Sequence, residues 1–459
     1  MNSNRSLIEG SIFKNLLSFA LPFLFSNMIQ CLYGAVDMAI VGWGSDSAGI
    51  SAVSIGAQII QIVFCLVVGL NMGGTILIAQ YLGAKKERDI VETIGTMLSL
   101  FAIASVILTV VMFFVTTPIL NLMQTPKEAF DQAKAYVLIS SGGIVFIFGY
   151  NAVSAILRGF GDSTRPLVFI SIACVTNIIL DLLFVCVFHM GAAGAAIATV
   201  IAQALSMVLA FLYLNRKKFI FQFKLANFRI HRDKVIALFK VGLPVSLQET
   251  CVSFSFLFIT SIINSMGVVA SAAVGIAGKF ENFAMLPSSA FSGAISAIAA
   301  QNIGANQPER AKKSLYWSVG IAVCFSLLFF AWAQIMPSTI LSIFKADSAV
   351  TLAGAEYLRS FSFDFILVAF GFSLNGFFNG CGKTTFSMIN GVFASVLIRI
   401  PLAYVLSVTQ PTNLFGIGFA APAATLASNI VGIIYFIMGR WKVSKIVSQP
   451  ASQLQEPGM

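Results

Sequence analysis

The sequence predicts an all-α polytopic membrane protein with twelve transmembrane helices, arranged as two six-helix lobes related by a pseudo-two-fold axis along the membrane normal. Composition, the length of the apolar runs and an internal repeat predict it. Of 459 residues, 58% are hydrophobic and only 10% charged, against about 45–50% apolar and about 25% charged in soluble domains. Too few charges remain to solvate several water-facing surfaces, which excludes a secreted, nuclear or cytosolic enzyme. The mean hydropathy is +0.90. In a soluble chain a net charge of +10 would suggest nucleic acid; here membrane sidedness accounts for it, and no nucleic-acid partner is expected.

A hydrocarbon core ~30 Å thick needs about 20 helical residues per crossing. Twelve continuous apolar runs between polar breaks meet that length, and their continuity excludes the alternating segments of a β-barrel. The first, 15–41, follows Arg5, Glu9 and Lys14 and runs on with no small-residue cleavage site, so it is expected to be an uncleaved span. It carries Pro22, Tyr33 and Asp37. The second and third are 51–78 and 90–116. The fourth, 135–157, carries Tyr136 and Asn151; the fifth, 166–188, carries Asn177 and Asp181; the sixth, 192–214, carries Ala195 and Thr199. The seventh, 237–263, holds Gln248 and Glu249, and the eighth, 270–299, holds Lys279 and Glu281. The ninth is 314–336, the tenth, 353–378, holds Asp364, the eleventh, 385–408, holds Arg399, and the twelfth is 415–439.

Cytoplasmic connections collect Lys and Arg. With the N-terminus inside, the inner segments hold 22 of the 28 basic residues and the outer connections only Lys127, Lys134, Lys345 and Arg359. Both termini are therefore expected in the cytoplasm of a multi-pass protein of the plasma or inner membrane.

The halves repeat each other. Leu21-Pro22 recurs as Leu243-Pro244, Ala79-Gln80-Tyr-Leu-Gly83-Ala84 as Ala300-Gln301-Asn-Ile-Gly304-Ala305, Gly159-Phe-Gly161-Asp-Ser-Thr164 as Gly380-Cys-Gly382-Lys-Thr-Thr385, and Ala195 to Thr199 as Ala421 to Thr425. Six crossings per half insert both halves the same way up, which puts the axis along the membrane normal and a cavity between two lobes. The expected lobes are 1–214 and 237–459, joined by a cytoplasmic linker, 215–236, whose 219–224 stretch suits the membrane surface.

Several chemistries are unsupported. Gly380-Cys-Gly-Lys383-Thr384 imitates the end of a phosphate-binding loop, but Phe377 stands where the first glycine is needed, and the repeat partner lacks the lysine. A tight cytoplasmic turn is expected, and ATP is not the fuel. His189 and His231 have no metal-ligand spacing, the seven cysteines form no CxxC pair, and no nucleophile–base pair suggests catalysis. The chain is not expected to be an enzyme, and no cofactor is expected.

The informative residues are the acids inside apolar runs: Asp37, Asp181, Glu249, Glu281 and Asp364. A charge at the centre of a span costs roughly 2.5–3.5 kcal/mol on insertion scales, and such residues usually mark ion or substrate paths. Tyr33 and Asp37, like Asn177 and Asp181, are four apart and share a helix face; by distance along their helices both acids fall in the outer half of the membrane. Thr199 and Asn151 add oxygens of the kind a hard cation such as Na+ prefers. Two carboxylates in a poorly solvated pocket call for a proton or a cation, so Na+ or H+ coupling follows; a hydrogen-bonded structural cluster is the alternative. Pro22 weakens the first helix below Asp37 and is a candidate hinge.

Leu21-Pro22, Tyr33-Gly-Ala-Val-Asp37 with Val41-Gly42, Ala79-Gln80-Tyr-Leu-Gly83-Ala, Arg158-Gly-Phe-Gly-Asp162, Asn177-Ile-Ile-Leu-Asp181 and Gly194-Ala-Ala-Ile-Ala-Thr199 together resemble the multidrug and toxic compound extrusion (MATE) family, of the bacterial NorM-like and DinF-like type, over essentially the whole chain. The resemblance implies twelve spans in two lobes and alternating-access efflux of small organic, often cationic compounds across the lipid bilayer in exchange for Na+ or H+, by a protein expected to be monomeric. In members with an N-lobe cation site the ligands match Asp37, Asn177, Asp181 and Thr199 with the carbonyl of Ala195, while Asn151, Tyr33 and Tyr136 match polar positions lining that cavity. Branches with a C-lobe carboxylate pair place it about one turn from Glu249 and Asp364. Gln248, Glu249, Glu281 and Asp364 are therefore expected to attract cationic substrate, with Lys279 and Arg399 as structural partners. Rival readings are a flippase for lipid-linked sugars, disfavoured by five intramembrane acids against two bases, and a non-transporting receptor.

Overall fold

The computed structural model describes residues 7–45, 47–216, 220–221, 227–342, 347–409, 413–442 and 446. Arg5, Lys217, Lys218, Lys224, Lys345 and Lys445 lie outside these residues, as does the expected surface stretch 219–224 apart from Ile220 and Phe221. Among the described residues, eleven helices are long and apolar enough to cross a membrane, or twelve if one bent pair counts as a single span, the number expected.

The first three crossings are α1 (Ile12–Gly44), α2 (Ser47–Gly83) and α3 (Glu87–Leu122). The fourth is two helices, α4 (Lys127–Gly142) and α5 (Ile144–Gly159), bent by 45°. The bend falls in Ser140-Ser141-Gly142-Gly143, where Ser141 Oγ donates to the Val137 carbonyl at 2.6 Å and small residues tolerate a kink. α6 (Thr164–Asp181) passes directly into a π-helical turn, Leu182–Val187, and α7 (Gly191–Arg216) completes the first repeat.

The second repeat has the same plan. It runs through α8 (Arg232–Ser265), α9 (Val268–Gly304), α10 (Pro308–Ile335) and the short α11 (Pro337–Ser342). α12 (Ser348–Phe361) and α13 (Phe363–Gly380) then realise the tenth run as two helices, broken at Ser362 as the fourth is broken at Gly143. α14 (Thr384–Val392) widens into a π turn, Phe393–Arg399, before α15 (Ile400–Thr409); α16 (Leu414–Gly418) and α17 (Ala420–Ile437) end it. The repeat thus extends to the irregularities, a π turn in the fifth run of each half. It extends to the turns as well: Gly161 and Gly382 have φ of +84° and +74°, and Lys85 and Asn306 both have φ of +57°. A left-handed glycine closing a helix is the tight turn expected of the Gly-x-Gly segments.

The packing suits lipid. Along α3, Ile103, Val106, Val110 and Phe114 are exposed while Ser105 and Thr116 are buried; apolar groups face outward, and small polar residues mediate contact between helices. Ser318 and Ser373 hydroxyls lie 3.1 Å apart between α10 and α13, and Ser288 and Ser326 lie 3.4 Å apart between α9 and α10. Gly376 and Gly380 of α13 set the closest approach: a Cβ at each would stand 2.2 Å and 2.3 Å from the carbonyl oxygens of Ser292 and Ser296 on α9.

The chain divides into two compact units that are not continuous in sequence. One is Phe25–Gly242; the other joins Leu7–Leu24 to the chain from Leu243 onward. The boundaries thus differ from a division at the linker 215–236. The start of α1 packs with the second unit, where Leu16, Phe19 and Ala20 share a core with Phe291, Ala294 and Ala297 of α9. The start of α8 packs with the first, where glycines allow backbone contact: a Cβ on Gly242 would meet the Gly69 carbonyl oxygen at 2.6 Å. Both changes of allegiance fall within three residues of a Leu-Pro pair, Leu21-Pro22 or Leu243-Pro244.

Lys234, 4% exposed, anchors that start of α8. Its ammonium is bonded to Asp89, lies 3.1 Å from Asp233 and 3.8 Å from Glu92, and sits 5.0 Å from the centre of the Tyr81 ring. Lys234→Met should lower the stability of the first unit by about 1 kcal/mol, below the usual range for hydrogen bonds to charged groups because Asp89 and Asp233 remain partly hydrated. Thermal melting of the variant at low and high salt reads this, and a loss that ignores salt would contradict the electrostatic account.

Candidate functional site

In the first unit three helices bring the expected residues together. Tyr33 and Asp37 project from one face of α1, Asn177 and Asp181 from α6, and Ala195 and Thr199 from α7. Asp181, Asn177 and Ala195 are fully buried and Asp37 is 6% exposed. The carboxyl groups of Asp37 and Asp181 are direct neighbours; Tyr33 lies beside Thr199, and Tyr136 of α4 flanks both acids. Asn177 Nδ2 donates to Thr199 Oγ1 at a long 3.5 Å. Asp181 sits where α6 gives way to the π turn, a departure from regular geometry of the kind often found at functional positions.

What this cluster lacks is informative. Asp37 Oδ1, Asn177 Oδ1, both Asp181 oxygens and the Tyr33 hydroxyl are buried with no partner in full hydrogen-bond geometry among the described residues, although the two carboxyls face each other and Tyr33 faces Thr199. No lysine, arginine or histidine among those residues forms an ion pair with either aspartate. Buried polar groups are normally satisfied, and unpaired buried carboxylates are costly. Such a convergence of oxygen acceptors can take up a proton or a small hard cation, and the donor set fits Na+. No group of three or more His, Cys, Asp or Glu residues suited to a metal ion occurs among the described residues.

Asn151 is engaged differently from the expectation of a free oxygen ligand. Its Oδ1 accepts from Asn71 Nδ2 of α2 at 3.0 Å, and its Nδ2 donates to the Ile147 carbonyl at 2.8 Å. Asn71 was not singled out from sequence, because one amide in an apolar run carries no pattern; its own Oδ1 is buried without a partner.

The second unit collects a different set. Glu281 of α9 and Asp364 in the first turn of α13 are 8% and 0% exposed, and they share electrostatic neighbours in Tyr357 of α12 and Arg399 of the π turn. Asp364 also meets Thr425 of α17. Arg399 is thus a partner of these acids, as expected; Lys279 is exposed. Gln248 lines a cavity of about 100 Å³ with Asn375, Asn390, Arg399, Thr425 and Asn429 among apolar side chains. Glu249, its neighbour on α8, keeps an accessible side chain and does not join Glu281 and Asp364: adjacent residues on a helix point about 100° apart, so the face that buries Gln248 is not the one that carries Glu249. Tyr357 and Thr425 escaped the sequence reading, although the repeat offset from Tyr136 and Thr199 pointed to both.

The MatE family profile matches twice, over residues 22–183 and again over 244–405. The chain belongs to the MatE family. The two matches reproduce the internal repeat, beginning at Pro22 and Pro244. Across this family the chain is similar at 26% identity to the "Probable multidrug resistance protein YpnP" of Bacillus subtilis, with 96% of this chain and 98% of that protein covered. It is 24% identical to the "Multidrug export protein MepA" of Staphylococcus saprophyticus, over 95% and 96% of the two chains. Among solved structures it resembles a MOP superfamily transporter from Pyrococcus furiosus, with a TM-score of 0.90 at 22% identity over 96% of this chain and 98% of that one, which shows the same all-α polytopic fold.

Proposed function

We propose that this MatE protein is a multidrug efflux transporter that exports organic cationic or amphipathic compounds in exchange for Na+ or H+. The observation that carries the reading is the meeting of Asp37 and Asp181, buried on different helices with no basic partner among the described residues. Cation or proton uptake there relieves the repulsion of two acids and stabilises one conformation over another. Only such differential affinity can drive alternating access. Asn177, Thr199 and the Ala195 carbonyl complete the coupling set, and Tyr33, Tyr136 and Asn151 line its approach. Gln248, Glu281 and Asp364 bias the substrate path toward cationic cargo, Glu249 adding charge from its exposed position. The names of the YpnP and MepA relatives support drug export. Pro22, inside α1 and two residues before the chain passes from one compact unit to the other, is the hinge in this reading. The protein works as a monomer in the plasma membrane with both termini in the cytoplasm.

Ethidium export from proteoliposomes, with the Na+ and pH gradients imposed separately, tests this. One gradient should drive export and the other should not; export indifferent to both would overturn the proposal. Thr199→Val should keep transport but raise the concentration of coupling ion giving half-maximal rate about 10–100-fold, the usual loss for a supporting group of an ion site. An unchanged half-maximal concentration would remove Thr199 from the set.

A further inference from the structure

The repeat builds the same pocket twice and fills it differently. Tyr357 lies 221 residues after Tyr136, Thr425 lies 226 after Thr199, and Ser255 lies 222 after Tyr33, each offset being that of the matching repeat segments. The counterpart of Asn177 by the same rule is Ile398. The second repeat, however, passes through its π turn before reaching this point. A π turn holds an extra residue per turn, which advances the register by one and brings Arg399 onto the face that Asn177 takes in the first unit. The side chain confirms the placement: Arg399 Nη1 donates to Ser255 Oγ, the Tyr33 counterpart, at 3.2 Å, and its guanidinium lies 4.5 Å from the centre of the Phe256 ring. Asp37 has no acidic counterpart, since Ile259 stands there, but Glu281 and Asp364 reach the second pocket from α9 and α13 instead.

Each pocket therefore holds a threonine, two buried acids and the matching tyrosine, Tyr136 or Tyr357, the first adding Tyr33 where the second has Ser255. The first has no base among the described residues; the second has Arg399, 7% exposed. Both Asp364 oxygens, Glu281 Oε1 and Arg399 Nε are buried with no partner in full hydrogen-bond geometry among the described residues, although Asp364 faces Thr425 and Glu281 faces Tyr357. No ion pair within 4 Å among the described residues joins the arginine to either acid, so its charge acts on them through space. Arginine stays protonated in proteins and carries its charge without an exchange step.

We propose that Arg399 is a tethered cation, permanently occupying in the second unit the place that an exchangeable cation takes in the first, so that the chain couples transport through one cation site rather than two. This rests on the antiport reading of Asp37 and Asp181. It also gives the second pair of acids a role that needs no ion of its own.

The test is thermal melting of the purified full chain in Na+, in millimolar guanidinium and in a cation-poor buffer balanced with sucrose. Arg399→Asn, which installs the first pocket's residue, should melt several degrees lower in the sucrose buffer and recover in Na+ or guanidinium, because two buried acids are left without a counter-charge. Arg399→Lys should melt near wild type. The neutral combination Glu281→Gln, Asp364→Asn, Arg399→Asn should also melt near wild type and gain nothing from either cation. Cation-independent loss in Arg399→Asn, or recovery that persists in the neutral combination, would overturn the proposal. If Arg399→Asn does not fold, the neutral combination decides: its folding supports the tethered cation, and its failure refutes it. Melting reads cation occupancy without transport, so full coupling in Asp37→Asn would sink the antiport reading alone, and missing cation recovery in Arg399→Asn the tethered cation alone.

Discussion

Asp181→Asn should lower gradient-driven efflux by at least about tenfold, within the 5–150-fold range that coupling free energies span, while the chain still folds. The substitution keeps size and one acceptor oxygen but removes the charge that makes a cation or proton bind one conformation better than another. Asp181 is fully buried beside Asp37 and forms no ion pair with a base among the described residues, so the amide relieves like-charge repulsion and stability should hold or rise slightly. Asp37→Asn should do the same, and the double variant should be no worse than either single one, because groups acting as a unit do not add. Ethidium efflux and 22Na+ or proton uptake in proteoliposomes measure both halves of the exchange. Wild-type coupling ratios in either single variant would show that the pair is a structural cluster.

Gly376→Leu should prevent α13 from seating on α9, with loss of folded protein from membrane extracts. Even Gly376→Ala should cost about 1–3 kcal/mol, the usual range for overpacking. A Cβ at this glycine would lie 2.2 Å from the Ser292 carbonyl oxygen, and a backbone atom cannot swing aside as a side chain can. Gly380, one turn on, meets Ser296 in the same way, so the two form a Gly-x-x-x-Gly seam of the kind that draws membrane helices together. By contrast Gly320, with open space around its Cβ position, should accept alanine without loss. Equal melting temperatures for Gly376→Ala and Gly320→Ala would refute the seam.

Much of this was legible in the chain because the bilayer constrains sequence strongly. A helix must satisfy its own backbone in lipid, so crossing length, and therefore the number of runs, can be read from composition. An acid placed in such a run costs enough to be conspicuous, which is why Asp37 and Asp181 stand out in the sequence, with Asn177 one turn from Asp181. The bend at Gly143, the passage of α1 and α8 into opposite compact units, and the Asn71 to Asn151 hydrogen bond were not legible. Each depends on which face meets which neighbour, and helices that are apolar all round carry no stripe to tell.

By itself, then, the sequence determined the crossings, the two-fold repeat and the acids that a membrane interior would not otherwise keep, since hydrophobic length and charge are properties of each segment alone. Only the tertiary structure decided which acids share a pocket and which stand apart: Glu281 and Asp364 with Arg399, Asp37 with Asp181 and no base among the described residues, Glu249 on a separate, accessible face. That decision belongs to packing, because a one-residue shift in a π turn or a missing Cβ moves a side chain from one neighbour to another while leaving every segment as apolar as before.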